Sequence, residues 1–172
     1  MATGPGETIP PGIDRGNATM SEAPLVKFMR VRPEIDGDIA LPEYMTPYAS
    51  GLDLRAAVAG EMTLAAGQIA LVPTGFAVEL PAGVEAQVRP RSGLAVKHGI
   101  GIINAPGTID ADFRGEIQVA LINLSKKSYT IKRGDRIAQM VIQPVYYARP
   151  VLVDGLSPSS RGVGGFGHTG LS

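Results

Sequence analysis

Two stretches of the chain alternate apolar and polar residues with a period of two. In VEAQVR, Val84, Ala86 and Val88 alternate with Glu85, Gln87 and Arg89, and in EIQVAL, Ile117, Val119 and Leu121 alternate with Glu116, Gln118 and Ala120. Successive strand side chains point to opposite faces, so each stretch predicts a strand with one face turned to a core. A first strand is predicted at 25–31, where LVKFMRV runs up to Pro33, and others at 52–58, 69–72, 76–80, 100–104, 129–131 and 137–143. Turn signals separate them: Ala66-Gly67, Pro73-Thr74-Gly75, Pro81-Ala82-Gly83, Ala105-Pro106-Gly107 and Arg133-Gly134-Asp135. Short strands at this spacing suit an antiparallel sandwich, jelly roll or barrel and leave little room for βαβ crossovers. One short helix is predicted over 92–98, with Ser92 as N-cap and Gly93 in its first turn.

Composition agrees with an all-β reading. Among 172 residues there are 22 Gly and 14 Pro but only 5% aromatics, a mixture that favours many short elements joined by turns. The 44% of hydrophobic residues suffice for one core. Sixteen basic and sixteen acidic residues cancel, which removes any whole-chain field for nucleic acid or membrane surfaces and makes any polyanion site local. The chain has no cysteine, excluding disulfide frameworks and thiolate zinc sites; a reducing cytoplasm is the expected compartment. No apolar run approaches the roughly 20 residues that span a bilayer. The Gly-, Pro- and polar-rich start predicts a disordered extension over 1–22, a β domain over 23–153 and a mobile glycine-rich arm over 154–172.

Five segments carry candidate chemistry. GVGGFG at 162–167 matches the dinucleotide pattern G-x-G-x-x-G, but that motif needs a following helix and an acid about 20 positions later, and the sequence stops at Ser172. The same glycines could wrap a phosphate, with Arg161 supplying charge and Phe166 a stacking face, or could form an idle tail. In PRSGLAVKHGI, Arg91 and Ser92 lie where a loop meets a helix start, which suits either an anion site or an ordinary cap. Ser92 lacks the G-x-S-x-G context of a nucleophile. In NAPGTIDADFRGEI, Asn104 and the turn backbone could face a flat base, with Asp110 just beyond. One carboxylate near a phosphate can deprotonate water, whereas Mg²⁺ commonly rides on substrate phosphates. Asp112 reads as a solvated hairpin acid or a partner of Arg114. Asp53, in an apolar strand, needs a cation, for which Arg136 is the expected partner. Gln139 is the polar exception in RIAQMVI.

Together and in this order, ASGLDLRA, PRSGLAVKHGI, NAPGTIDADFRGEI, RGDRIAQMVI and RGVGGFGHTG resemble the five motifs of the homotrimeric deoxyuridine triphosphatases (dUTPases), from about Leu25 to the C-terminus. The resemblance implies a jelly-roll-like distorted β-barrel and a homotrimer whose active sites lie between subunits under the C-terminal arm. It also implies Mg²⁺-dependent hydrolysis of dUTP to dUMP and pyrophosphate, which limits uracil in DNA and supplies dUMP for thymidylate synthesis. By the same resemblance Asp110 is the general base. Asn104, Thr108 and Ile109 surround the uracil, Phe113 stacks on the deoxyribose, and Arg91, Ser92, Gly93 and Gln139 contact phosphates. Arg161 reaches the γ-phosphate, and Phe166 with Gly167 covers the base. Asp53 and Arg136 support the site, Asp53 through the metal's water shell, with no protein group ligating the metal directly. Two positions depart from the family pattern: Phe113 stands where tyrosine is usual, and His168, which can gain charge near about pH 6.5, stands where serine is common. Two rivals on the same fold are a dCTP deaminase-like enzyme, which needs a glutamate to move protons at cytosine, and a catalytically silent nucleotide-binding module.

Overall fold

The computed structural model describes residues 23–165; the expected extension over 1–22 and the arm positions Phe166, Gly167 and His168 lie outside them. The described chain runs β1 (Lys27–Arg30), α1 (Pro33–Asp36), β2 (Glu43–Tyr44), β3 (Leu52–Arg55), β4 (Glu61–Leu64), β5 (Ile69–Glu79), β6 (Val84–Arg89), α2 (Ser92–His98), β7 (Ile100–Ile102), β8 (Gly107–Ile109), β9 (Glu116–Asn123), β10 (Tyr129–Lys132) and β11 (Arg136–Pro144). The strands form a four-stranded sheet β1-β5-β9-β7, a five-stranded sheet β2-β3-β11-β6-β8 and a two-stranded ribbon β10-β4, all antiparallel. This is the expected jelly-roll-like β architecture, built from open sheets with no ladder closing a barrel among the described residues.

The period-two pattern does what it predicts. Ala86 and Val88 of β6 and Ile117, Val119 and Leu121 of β9 point inward, where they meet Leu54, Leu64, Ile131 and Met140 in one core. Removing these side chains from water is the main driving force of the fold, at about 1.5–3 kcal/mol for each fully buried large aliphatic group.

Departures from the sequence expectations have local causes. Pro73-Thr74-Gly75 is no turn: 69–72 and 76–79 belong to one eleven-residue strand, β5, that bulges between Pro73 and Ala77 and ends one residue short of the predicted Leu80. Gly75 takes φ of 78° there, a value costly for other residues. The strand predicted at 52–58 stops at Arg55, because the Ala56 and Ala57 amides leave their sheet to donate to Asp135 O and Pro73 O. Helix α2 has the expected bounds, but its N-cap is Arg91, with extended backbone at φ −88°, and Ser92 is the first helical residue with no capping bond. Pro33 opens α1 instead of merely ending β1, as proline's fixed φ allows. The unexpected β8 arises because Gly107–Ile109 pairs with β6, extending the sheet into what reads as a turn.

Candidate active site

The sequence-predicted residues gather in two clefts that share no lining residue. The first, about 290 Å³, lies between the β8 side of one sheet and β9, with Asn104, Thr108, Ile109, Asp110 and Phe113 in its wall. Alternation along β8 buries Gly107 and Ile109 and leaves Thr108 facing out. Asp110 follows directly and is exposed. Asp110 O accepts the Phe113 amide at 3.1 Å, turning the chain so that the aromatic ring stands in the same cleft. Arg114 Nη1 donates to Ala111 O and Phe113 O, both at 2.7 Å, so it braces this loop by its carbonyls. Of the two readings of Asp112, the solvated acid holds: it is exposed, with no ion pair to Arg114 or any other group among the described residues.

Gly115 sets the aromatic ring. A Cβ on Gly115 would lie 2.7 Å from Phe113 Cζ, so the ring rests on a backbone that only glycine leaves bare. Glu116, the first residue of β9, also lines the cleft, but its carboxylate is committed to protein partners. Its oxygens accept Arg32 Nη1 and Nη2 at 2.9 and 2.8 Å and the Gly75 amide at 2.8 Å. The Arg32 bonds hold the Glu116 carboxyl below the usual carboxylate range.

The second cleft, about 220 Å³, is lined by Gly51, Asp53, Arg91, Ser92, Gly93, Arg136 and Gln139, with Met45 and Ala49 at its edge. Central strand β11 sets Gln139 opposite Asp53 of β3 on one side and Arg89 of β6 on the other. Asp53 is only 8% exposed. Arg136 Nη1 reaches its Oδ2 at 2.9 Å, as expected from the sequence, and Arg91 Nε approaches Oδ1 at 3.4 Å. Arg91 Nη1 also donates to Arg136 O at 2.9 Å, which ties the start of α2 to β11. Gln139 Nε2 donates to Pro90 O at 3.0 Å. A Cβ on Gly51 would stand 2.9 Å from Gln139 Oε1, so Gly51 keeps the amide in place by lacking a side chain. Two guanidinium groups against one carboxylate leave this cleft cationic, and the unpaired first-turn amides of α2 at Ser92 and Gly93 add donors.

Arg161 joins neither cleft. Its Nε donates to Gly164 O at 2.9 Å, curling back on its own turn in an exposed stretch. Among the described residues, no group of three or more His, Cys, Asp or Glu side chains could cage a metal. Reasoning from sequence missed Gly51, Gln118 in the first cleft, and the Arg32–Glu116 pair. The pair spans 84 positions, so no local spacing announces it.

The dUTPase family model matches residues 38–170. A deoxyuridine 5'-triphosphate nucleotidohydrolase of Desulfotalea psychrophila is 51% identical over 146 residues, covering 85% of this chain and 97% of that protein. Its counterpart from Neorickettsia sennetsu is 56% identical over 133 residues, covering 77% and 89%. Among solved structures, a mutant of the Staphylococcus bacteriophage 80alpha dUTPase with dUpNHpp matches with a TM-score of 0.76 at 25% identity, over 86% of this chain and 99% of that one. A mutant dUTPase from phage phi11 of S. aureus, whose structure details the coordination of a structural Mg(II) ion, matches with a TM-score of 0.68 at 21% identity, over 78% and 99%. Half-identical relatives along most of the chain, with the same β architecture, leave one assignment: this chain belongs to the dUTPase family.

Proposed function

We propose that the chain hydrolyses dUTP to dUMP and pyrophosphate in sites assembled from the two clefts of different subunits in a homotrimer. The observation that carries this reading is the division of labour between the clefts. One holds an exposed carboxylate beside an aromatic ring, the other a pair of arginines, and one chain does not merge them. A triphosphate ester needs both: a base to take a proton from water, and cations to offset charge that builds on the phosphate oxygens.

Asp110 takes a proton from water as the water oxygen bonds to the α-phosphorus. The bond from that phosphorus to the bridging oxygen breaks, and pyrophosphate leaves. Arg91, Ser92, Gly93 and Gln139 bind and orient the phosphate chain, and Arg136 with Asp53 fixes Arg91. Asn104, Thr108 and Ile109 border the base and Phe113 the sugar; the arm, through Arg161, Phe166 and Gly167, covers the substrate and excludes water. The donor set fits a weakly held Mg²⁺, since that ion takes few protein ligands and keeps several waters; Asp53 is the carboxylate that would support its water shell, and the ion would supply charge compensation on the phosphates. A deaminase reading needs a free glutamate, whereas Glu116 has its carboxylate committed to Arg32 and Gly75.

The test is product analysis with Mg²⁺ and, separately, dUTP, dCTP, dTTP and UTP. Pyrophosphate and dUMP from dUTP alone is the expected outcome. Uracil nucleotide from dCTP would make the protein a deaminase, and no turnover would make it a silent binder.

A further inference from the structure

The loop 110–115, which bears Asp110 and Phe113, ends in a charged chain that the reaction itself does not use. Arg32 grips Glu116 with both Nη atoms and donates from Nε to Asp36 Oδ2 at 2.9 Å. Asp36 is fully buried and also accepts Arg133 Nη2 at 3.1 Å, while Arg133 holds Asp38 at 2.6 Å and Val58 O at 2.9 Å. Five charges, Glu116, Arg32, Asp36, Arg133 and Asp38, therefore run in series from the root of the loop. The chain borders a wide hollow of about 800 Å³ that Arg32, Glu116 and Arg133 all line. Glu116 faces both this hollow and the Asp110 cleft.

The chain sits at the β5 bulge, where the ladder to β9 is interrupted between Pro73 and Ala77. Glu116 stands in for the missing ladder bond by accepting the Gly75 amide, and Thr74 Oγ1 donates to Ile117 O at 2.7 Å. The entry of β9, where Glu116 pairs with Ala77 just past the bulge, is thus fixed by side chains as well as by the ladder, and with it the end of the loop. Gly115 and Phe113 lie one and three residues upstream of that anchor, with the ring in contact with the Gly115 backbone. Any shift of Glu116 moves the surface on which the ring rests.

We propose that Arg32 and Glu116 are a positioning pair that sets where Phe113 stands and thereby how strongly the site rejects a ribose in favour of a deoxyribose. This rests on the reading that the Asp110 cleft takes the nucleoside. Bidentate geometry matters because a guanidinium fork fixes the carboxylate plane, which a lysine ammonium cannot do. A free Glu116 carboxylate would also place unneutralised charge in the wall beside Asp110.

The experiment measures kcat and KM for dUTP and UTP with the full-length wild type, Arg32→Lys, Arg32→Ala, Glu116→Gln and the Arg32→Ala/Glu116→Gln pair, alongside thermal midpoints. Arg32→Ala is expected to lower the dUTP-to-UTP ratio of kcat/KM by about tenfold, Arg32→Lys by less, and the double variant by no more than either single one. If midpoints fall while the ratio stays at the wild-type value in every folded variant, the pair is structural only and the proposal fails. Arg32→Lys, which keeps the charge, keeps the test open should the alanine variants not fold. Absence of dUTP turnover in the wild type would instead sink the functional reading, so the two failures are distinguishable.

Discussion

Replacing Asp53 by asparagine should separate binding from turnover in the cationic cleft. The side chain is nearly isosteric, so the local packing is little changed, but the carboxylate between Arg91 and Arg136 loses its charge. Asp53 has a side chain only 10% exposed, while those of Arg91 and Arg136 are 26% and 37% exposed. A charge-assisted hydrogen bond contributes about 1.5–3 kcal/mol, and the solvated partners place this case in the lower half, at about 2 kcal/mol. For a chain of this length, about 2 kcal/mol lowers Tm by roughly 4–8 °C. The local charge changes from two cations against one anion to two cations alone, so pyrophosphate should bind at least as tightly as in the wild type. Arg91, no longer aimed by Asp53, should serve the transition state worse, with kcat down about tenfold or more and KM level or reduced. Thermal melts at equal protein concentration, with and without pyrophosphate, and steady-state kinetics would check this. An unchanged Tm together with an unchanged kcat would show that Asp53 neither holds the arginines nor supports the reaction.

Three further outcomes follow from the geometry. Asp110→Asn should reduce turnover by at least about 10²-fold, the low end for loss of a general base, with dUTP binding by calorimetry largely retained; a variant that stays active would move the base elsewhere. Truncation before Arg161 should lower kcat/KM strongly while leaving the melting curve of the β core intact, because residues 161–165 lie in no strand and none of them is buried; a truncated enzyme of normal rate would remove the arm from the mechanism. The Glu116 carboxyl is held below its ordinary value of 4.5, chiefly by Arg32. Its contribution to stability is therefore present above the unfolded value and is lost as pH falls through the folded one. Melts of the wild type should fall more steeply than those of Glu116→Gln from about pH 5 to about pH 3, and parallel curves would show that the pair does not stabilise the fold.

Much of this molecule is legible in its sequence where one residue's neighbours decide its state. The alternation in 84–89 and 116–121 gives two strands and their buried faces, and α2 is bounded by Ser92 and Gly99, whose φ of 68° ends the helix. The Asp53–Arg136 pair was deducible because a carboxylate in an apolar strand needs a cation. What escaped depends on distant parts of the chain. Proline and glycine at 73–75 look like a turn, yet Glu116 and Ile117 satisfy the exposed polar groups and let one strand run through. Gly107–Ile109 becomes a strand only because β6 offers an edge to pair with. Gly51 and Gly115 are silent in sequence, since their importance is the volume they do not fill beside Gln139 and Phe113.

That the carboxylate cleft and the arginine cleft share no residue has a genetic consequence. If they meet only across subunits, two inactive chains can repair one another. A chain carrying Asp110→Asn keeps a sound arginine cleft, and a chain carrying Arg91→Ala keeps a sound carboxylate cleft. Co-assembled at equal amounts, roughly a quarter of the sites would draw the intact half from each parent. Two null alleles of this gene would then complement in one cell, whereas an allele damaged in both clefts would complement neither of them.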